Sequence, residues 1–271
     1  MQEFCLKLFR LLAVAITVQA AALAQAQSAQ DGDYINPDRP GIADGSSVVG
    51  KRRVQIETGL QHEYRNGGGG ATRTVFFPTL VRLGTTDKLE VRLEGNTYTL
   101  VKAADAAPGA GRSEGLAPTS IGFKYHIADA SAGQPSLAVI GRAFPPSGSR
   151  DFRTTRTSGD LRLAADWDFA PQWSLNPNLG FARYDDGGGG SYAAGLLAVT
   201  LSYNPRRDFS VFIDVGAQTP EARNGKTAVT VDVGAAWVFD RNLQFDFSVG
   251  TKAAGQTPPR LFLAAGISQR F

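Results

Sequence analysis

The last stretch of the chain, Arg260–Phe271, reads RLFLAAGISQRF and carries the clearest fold signal. Its residues alternate between two faces, which is the pattern of a β-strand. One face carries Leu261, Leu263, Ala265 and Ile267, and the other carries Arg260, Ala264, Gly266, Ser268 and Arg270. A terminal strand of this kind that ends on an aromatic residue, here Phe271, is typical of outer-membrane β-barrels. The stretch therefore predicts an all-β protein, an antiparallel transmembrane barrel.

The beginning of the chain has the pattern of a secretory signal peptide. Lys7 and Arg10 form a basic start, an apolar run follows over Leu11–Val18, and small residues come next. The sequence Ala22-Leu23-Ala24 is the best cleavage site and predicts cleavage after residue 24, with Ala24-Gln25-Ala26 a close second. The apolar run is shorter than the roughly 20 residues that a membrane-spanning helix needs. We therefore expect residues 1–24 to be removed on export.

The rest of the chain carries little net charge and no cysteine. The full chain has a net charge of +3, and loss of Glu3, Lys7 and Arg10 with the signal peptide lowers it by one. This balance gives no argument for a nucleic-acid partner. Cys5 is the single cysteine and leaves with the signal peptide. Disulfides, thiolate metal sites and cysteine nucleophiles are thereby excluded from the exported protein.

Residues 25–52 form a polar N-terminal segment before the first strand. Pro37, Pro40 and several glycines predict irregular structure there. We expect this segment to lie on the periplasmic side. Two alternatives are open: a loose periplasmic tail, or a plug or gate in the periplasmic mouth of the barrel.

From residue 53 to residue 271 the hydrophobic pattern has a period of two, which predicts the barrel domain. No window shows a helical period over three turns. The pattern predicts twelve strands, at 53–64, 72–83, 88–100, 117–127, 135–144, 159–169, 173–184, 192–204, 209–217, 227–239, 242–252 and 260–271.

The connections between these strands alternate in length. Those at 84–87, 170–172, 205–208 and 240–241 are short, whereas those at 65–71, 101–116, 144–158, 185–191, 220–226 and 253–259 are longer or rich in glycine. The connection 128–134 is longer than the other turns. Short periplasmic turns and longer external loops are the rule for outer-membrane barrels. An even number of strands places both chain ends in the periplasm.

Aromatic residues indicate that the apolar face of the barrel meets lipid. In water the apolar face would turn inward, as in a soluble barrel or sandwich. Aromatic side chains cluster instead beside the short turns, as in a girdle at a membrane interface. They are Trp167, Phe169, Trp173, Tyr203, Phe209, Trp237, Phe239 and Phe271.

With lipid outside, the charged face of each strand lines the lumen. The candidate pore-lining residues are Glu57, Arg82, Glu90, Arg92, Glu94, Lys124, Arg142, Asp160, Arg162, Asp166, Asp214, Asp232, Asp246 and Arg270. Rings of charge on a pore wall set selectivity. The alternative is that these charges pair across a narrow barrel and fill it, because buried charges need partners.

Four short motifs, in order, resemble a known family. They are DRPG at Asp38–Gly41, VQIETG at Val54–Gly59, LGTTDKLEVR at Leu83–Arg92 and SIGFKY at Ser120–Tyr125. This order is similar to that of the outer-membrane transporter family named for the meta-pathway of phenol degradation. The resemblance implies a barrel that passes small, often aromatic or hydrophobic, compounds. The partners expected are outer-membrane lipid, a small-molecule solute and, through the strand ending in Phe271, the barrel-assembly machinery.

Two other functions stay open beside passive passage of solutes. One is a non-conducting structural or adhesive barrel. The other is a lipid hydrolase at the rim, for which His62 is the candidate base, although no serine is singled out as its partner. His62 and His126 are the only histidines, and neither has a metal-ligand companion at a useful spacing. The sequence predicts no catalytic residue, metal or cofactor.

Overall fold

The computed structural model describes residues 34–67, 70–103, 111–131 and 133–271. The predicted signal peptide and the start of the N-terminal segment lie outside these ranges. No helix in the described part of the chain is long and apolar enough to cross a membrane.

The described residues form thirteen strands. They are β1 (Val54–Gly67), β2 (Gly70–Gly84), β3 (Leu89–Ala103), β4 (Arg112–Gly115), β5 (Ser120–Ala128), β6 (Ser136–Phe144), β7 (Ser158–Ala170), β8 (Trp173–Asp185), β9 (Ser191–Arg206), β10 (Phe209–Thr219), β11 (Ala228–Asp240), β12 (Leu243–Ala254) and β13 (Leu261–Arg270).

Twelve of these strands close into an antiparallel barrel, and β4 is an additional strand. Closure is made by β1 and β13, which pair from Gln55 opposite Arg270 to Tyr64 opposite Leu261. A closed sheet leaves no unpaired strand edge, which is what lipid requires of a β-structure. The predicted fold class is confirmed.

The strands depart from the predicted pattern at two connections. The first is the predicted loop 65–71, most of which is strand, since Gly67 pairs with Gly70 across the hairpin. Gly70 has φ 99°, a conformation that glycine adopts without steric cost. The second is the predicted loop 101–116, which contains β4. This strand pairs with the far end of β3, Thr99–Lys102, and its sequence RSEG has no apolar alternation to reveal it.

The barrel has two distinct ends. We call the end with the short turns 85–88, 171–172, 207–208 and 241–242 the turn end, and the opposite end, with the connections 145–157, 186–190, 220–227 and 255–260, the loop end. Because β1 begins and β13 finishes at the turn end, the N-terminal segment enters the barrel there. Ile35 N donates to Arg241 O at 2.7 Å, which fixes that entry point.

The outer face of the barrel is apolar and the inner face is polar. On β12, Phe245 and Phe247 are 40% and 51% exposed, whereas Gln244, Asp246 and Ser248 between and beside them are buried. This is the reverse of a soluble protein and agrees with lipid around the barrel. At the turn end, rings pack on the outer face, such as Trp173 on Tyr203 with centroids 4.9 Å apart. Such a cluster suits the membrane interface, where a ring has an apolar and a polar side.

Candidate functional site

The described part of the N-terminal segment, residues 34–52, lies inside the barrel, against the inward-facing side chains of the wall. We call residues 34–52 the inner segment. Its backbone N–H groups donate to wall side chains on five strands: Arg39 to Glu57 (3.0 Å), Ile42 to Asp214 (2.9 Å), Asp44 to Asn178 (2.8 Å), Ser46 to Asp166 (2.7 Å) and Val49 to Glu90 (2.9 Å). The wall thus satisfies the backbone of a segment that has no strand partner of its own.

The sequence of the inner segment explains its irregular path. Pro37 and Pro40 cannot donate a backbone hydrogen bond, so they disfavour a strand here. Asp38 Oδ1 accepts from Gly45 N at 2.8 Å, which folds the segment back on itself. Ile35 and Val49 are only 4% and 5% exposed, so the segment is enclosed by the barrel.

A dense network of ion pairs joins the inner segment to strands β1, β2, β3 and β5. Arg82 contacts Glu57 at 3.0 Å and Glu90 at 2.8 Å, and all three side chains are fully buried. Arg82 also donates to backbone oxygens of the inner segment, those of Asn36 (3.1 Å) and Ser47 (2.8 Å). Charges this deeply buried are tolerated only because each has partners.

Asp38 is the centre of this network. Its carboxylate lies 2.5 Å from Arg92 and 2.8 Å from Lys124, and Arg82 is 3.7 Å away. The next residue reaches the opposite wall, because Arg39 Nη2 donates to Asp246 on β12 at 2.9 Å. The motif Asp38-Arg39 therefore spans the lumen and ties both walls together.

A second network lies nearer the loop end, on β3, β6 and β7. Arg142 bridges Glu94 and Asp160, at 2.9 Å each. Arg162 contacts Asp160 at 3.3 Å and Asp44 of the inner segment at 3.5 Å. The inner surface of β1 to β7 is therefore lined with paired charges from the turn end towards the loop end.

The wall formed by β9 to β12 differs, because it is made of small residues and carboxylates. Its inward positions include Ala198, Gly216, Gly234, Ser248 and Gly250. A cavity of about 500 Å³ lies against it and extends to Thr257, Pro258 and Pro259 at the loop end. A second cavity of about 340 Å³ lies against Pro78, Glu94, Pro118 and Arg142. Arg39, Gly41 and Ile42 line both cavities, so the inner segment separates them.

The candidate pore-lining residues all lie on inward-facing positions of the barrel strands, buried or partly buried. Most of those on β1 to β7 are paired with an opposite charge. Arg270 lies close to the turn end, where its guanidinium donates to Asn242 Oδ1 at 2.9 Å and to Tyr34 O at 3.3 Å. It therefore holds the entry of the inner segment.

Sequence reasoning missed the charged residues of the inner segment itself. Asp38, Arg39 and Asp44 make the contacts that join the two walls, yet they stand in a stretch with no periodic pattern. The signal available was the presence of three charges between prolines and glycines in a segment predicted to be polar and irregular. Their partners could not be found, since each lies on a distant strand.

The two histidines occupy different surroundings. His62 is exposed on the outer face. His126 Nδ1 lies 3.0 Å from the Ser46 carbonyl oxygen, and Nε2 lies 2.8 Å from Asp129. In the described structure, neither histidine makes a hydrogen bond to a serine hydroxyl. Among the described residues, no cluster of three or more His, Cys, Asp or Glu side chains could hold a metal.

Carboxylates fasten the loops at the loop end to one another. Glu221 Oε2 accepts from the backbone N–H groups of Thr257 (2.9 Å) and Gln256 (2.7 Å), which lie in a different loop. These bonds to the charged form hold the pKa of Glu221 below its usual range. Asp186 pairs with Arg223 at 2.7 Å. The three loops over the β8–β13 half are thereby connected.

A closed barrel with an apolar exterior and an occupied, charged interior defines the class: an outer-membrane β-barrel. The family model described as "Putative MetA-pathway of phenol degradation" matches residues 37–271. The chain belongs to this family, and the resemblance carried by its motifs is confirmed. No curated protein matches the sequence.

Solved structures of outer-membrane proteins share the fold, among them the following two. The COG4313 outer membrane channel from Pseudomonas putida F1 has 14% identity and a TM-score of 0.66, with 88% of this chain and 100% of that chain covered. The beta domain of the Bordetella autotransporter BrkA has 13% identity and a TM-score of 0.51, with 81% of this chain and 99% of that chain covered. At these identities the likeness concerns the fold.

Proposed function

We propose that the protein is an outer-membrane channel for passive passage of small solutes, and that the inner segment is its plug. The observation that carries the proposal is the position of residues 34–52. This segment crosses the lumen, is held by wall side chains, and separates cavities of about 500 Å³ and 340 Å³. Movement of the segment would join the two cavities without breaking a barrel strand.

The way the plug is held supports a gate over permanent filling. Its attachment consists of side-chain hydrogen bonds and ion pairs, and it adds no strand to the sheet. When the segment moves, water can take over the hydrogen bonds that these side chains lose. Backbone hydrogen bonds between strands in lipid cannot be replaced in this way. The paired charges of the wall favour a second candidate, a closed structural barrel, and conduction distinguishes the two.

The orientation follows from the outer-membrane rule for turns and loops. The turn end faces the periplasm and the loop end faces the exterior. The plug then enters from the periplasmic side, since Ile35 and Arg270 fix its start at the turn end. Export by the predicted signal peptide and assembly through the terminal strand with Phe271 complete this arrangement.

The solute class is small and amphipathic, and it includes the aromatic or hydrophobic compounds that the family resemblance implies. The larger cavity mixes apolar side chains, such as Ile42 and Phe262, with charged ones of both signs, Glu63, Asp232, Arg39 and Arg162. A solute that passes the loop end therefore meets both an apolar and a charged surface. A few polar groups among apolar ones are typical of small-molecule sites.

A reversible lock tests the plug directly. Ser46 of the plug and Ser136 of β6 have their hydroxyl oxygens 2.6 Å apart. In the double variant Ser46→Cys/Ser136→Cys, oxidation should tie the plug to the wall, and reduction should release it. We expect single-channel conductance in a planar bilayer to fall at least tenfold on oxidation and to recover with reductant.

The single variant Ser46→Cys serves as the control, because it cannot form the intramolecular bond. Equal conductance in the oxidised and reduced double variant would refute the gate and leave the channel in place. A folded wild-type protein that neither conducts nor admits solutes into vesicles would refute the channel itself and favour the structural barrel.

A further inference from the structure

Three neighbouring strands of the wall present a row of oxygen atoms without hydrogen-bond partners. They are Thr200 Oγ1 on β9, Asp214 Oδ1 on β10 and Asp232 Oδ1 on β11. Asp214 is the direct cross-strand neighbour of both Thr200 and Asp232. Their side chains are 7%, 0% and 4% exposed, respectively. A buried polar atom without a partner is costly, so this row calls for an explanation.

The two carboxylates also lack a positive partner. None of the ion pairs among the described residues includes Asp214 or Asp232, whereas Glu57, Glu90, Asp160 and Asp246 on the same inner surface each contact an arginine. Ile42 N donates a hydrogen bond to Asp214 Oδ2 at 2.9 Å, but this donor is an uncharged backbone group. Like charges directly opposite each other repel, and burial strengthens the repulsion, so the two carboxyl groups share a proton unless a cation lies beside them.

The space beside the pair is open because its neighbours are small. A Cβ atom at Gly41 would lie 3.3 Å from Thr200 Oγ1 and 3.6 Å from Asp214 Oδ2, so these oxygens face the same point beside the plug. Asp232 itself lines the 500 Å³ cavity. The wall therefore offers both the anionic groups and the room for an incoming group.

An aromatic ring borders the same place. A Cβ atom at Gly250, the cross-strand neighbour of Asp232, would lie close to both the Phe262 ring and Asp232 Cβ. Phe262 and Asp232 thus flank one glycine. A carboxylate next to an aromatic ring suits a positively charged group, since the ring attracts cations as well.

We propose that Thr200, Asp214 and Asp232 form a cation subsite on the pore wall. It takes the positive charge of a small inorganic cation or of the ammonium group of an organic solute. The inference rests on the proposed channel, for which it names the charge class of the preferred permeant. A passing cation supplies the partner that the two carboxylates lack, while anions meet wall cations that are already paired. The pore is therefore cation-selective.

The first test measures selectivity with the full protein in a planar bilayer under a KCl gradient. The variant Asp214→Asn/Asp232→Asn removes both charges and keeps the side-chain shapes. We expect its K⁺/Cl⁻ permeability ratio, taken from the reversal potential, to fall at least fivefold. Each single variant retains one carboxylate and should lie between. The control Asp87→Asn/Asp151→Asn removes the same charge at exposed positions and should keep the wild-type ratio.

The second test does not depend on conduction. The thermal unfolding midpoint is measured in N-methylglucamine chloride with KCl or phenethylammonium chloride added at constant ionic strength. A ligand that binds only the folded protein raises the midpoint. We expect a rise in the wild type that is lost in Asp214→Asn/Asp232→Asn and kept in the control. A rise with KCl alone identifies an inorganic cation, and a rise with phenethylammonium alone identifies a solute ammonium group.

The outcomes separate the subsite from the channel. An unchanged permeability ratio in a conducting double variant overturns the subsite and leaves the channel standing. A wild-type protein that is silent but shows the cation-dependent rise overturns the channel and keeps the cation site. No rise with either cation overturns the site.

Discussion

The two halves of the barrel wall differ in the side chains that they present to the lumen. On β1 to β7 the inner surface carries long cations, and Arg82, Arg92, Lys124 and Arg142 are each paired with carboxylates. On β9 to β12 the inner surface is built from small residues, and Asp214 and Asp232 have no cation beside them in the described structure. We call β1 to β7 the filled half, because its long side chains pair with one another and with the plug beside the smaller cavity of about 340 Å³. We call β9 to β12 the open half, because its small residues border the larger cavity of about 500 Å³.

The comparison shows that net charge alone does not describe a pore. Both halves are rich in carboxylates, but only unpaired ones can attract a solute. A buried ion pair leaves little net electric field in the lumen, so paired charges do not attract a passing solute. The plug separates the halves and contacts both, through Asp38 on one side and Arg39 on the other.

The largest effect on gating is expected from Asp38→Asn, which disrupts the ion-pair network between the plug and the filled half. It removes the one carboxylate shared by Arg92 and Lys124, and Arg82 nearby loses its attraction. Breaking a buried pair costs about 3–5 kcal/mol, which would shift the plug equilibrium more than a hundredfold (roughly, at 1.4 kcal/mol per factor of ten). Single-channel recording should show a large rise in open probability.

The matched control for Asp38→Asn is Asp87→Asn, at an exposed turn position. It removes the same charge without touching the network, so gating should match the wild type. If Asp38→Asn gates like the wild type as well, the ion pairs do not hold the plug.

A smaller effect is expected at the contact between the plug and the open half. Arg39 and Asp246 are 2.9 Å apart, and the Arg39 side chain is 15% exposed. A double-mutant cycle with Arg39→Gln and Asp246→Asn should give a coupling energy of about 1–3 kcal/mol in the open–closed equilibrium. The equilibrium is read from the open probability of the four proteins. Additive effects would show that the two side chains act independently.

The smallest effect concerns the loops above the open half, and it depends on pH. Backbone N–H groups of Thr257 and Gln256 hold the pKa of Glu221 below its ordinary value of 4.5. A carboxylate with a lowered folded pKa stabilises the structure fully above its unfolded pKa, and this stabilisation is lost as pH falls through the folded pKa. The loops should therefore loosen below about pH 4.5.

Limited cleavage by pepsin over pH 5 to pH 2.5 measures this loosening. Cleavage within 220–227 and 255–260 should increase as pH falls in the wild type, after correction for the protease's own pH profile. Glu221→Gln cannot ionise, so its loops should already be cleaved faster at pH 5. If Glu221→Gln shows the same pH dependence of cleavage as the wild type, the Glu221 carboxylate does not hold these loops together.

Much of the fold followed from local pattern. The alternation in stretches such as Leu243–Ala254 requires two unlike faces, and the predicted strands lie close to the observed ones. The exceptions have specific causes. β4 has no apolar alternation and forms because it pairs with the far end of β3. β1 and β2 extend further into the predicted loop 65–71 than expected, and Gly70 there has φ 99°, which glycine adopts without steric cost.

Local sequence pattern was enough to predict a barrel with lipid outside and charge inside, because side-chain direction alternates along a strand. Which charges meet depends on how distant strands and the plug come together in the folded barrel. Asp38 finds Lys124 and Arg39 finds Asp246 across the lumen, over separations that no local pattern records. The same closure brings Thr200, Asp214 and Asp232 side by side, since pairing in a sheet joins residues by register and not by nearness in sequence.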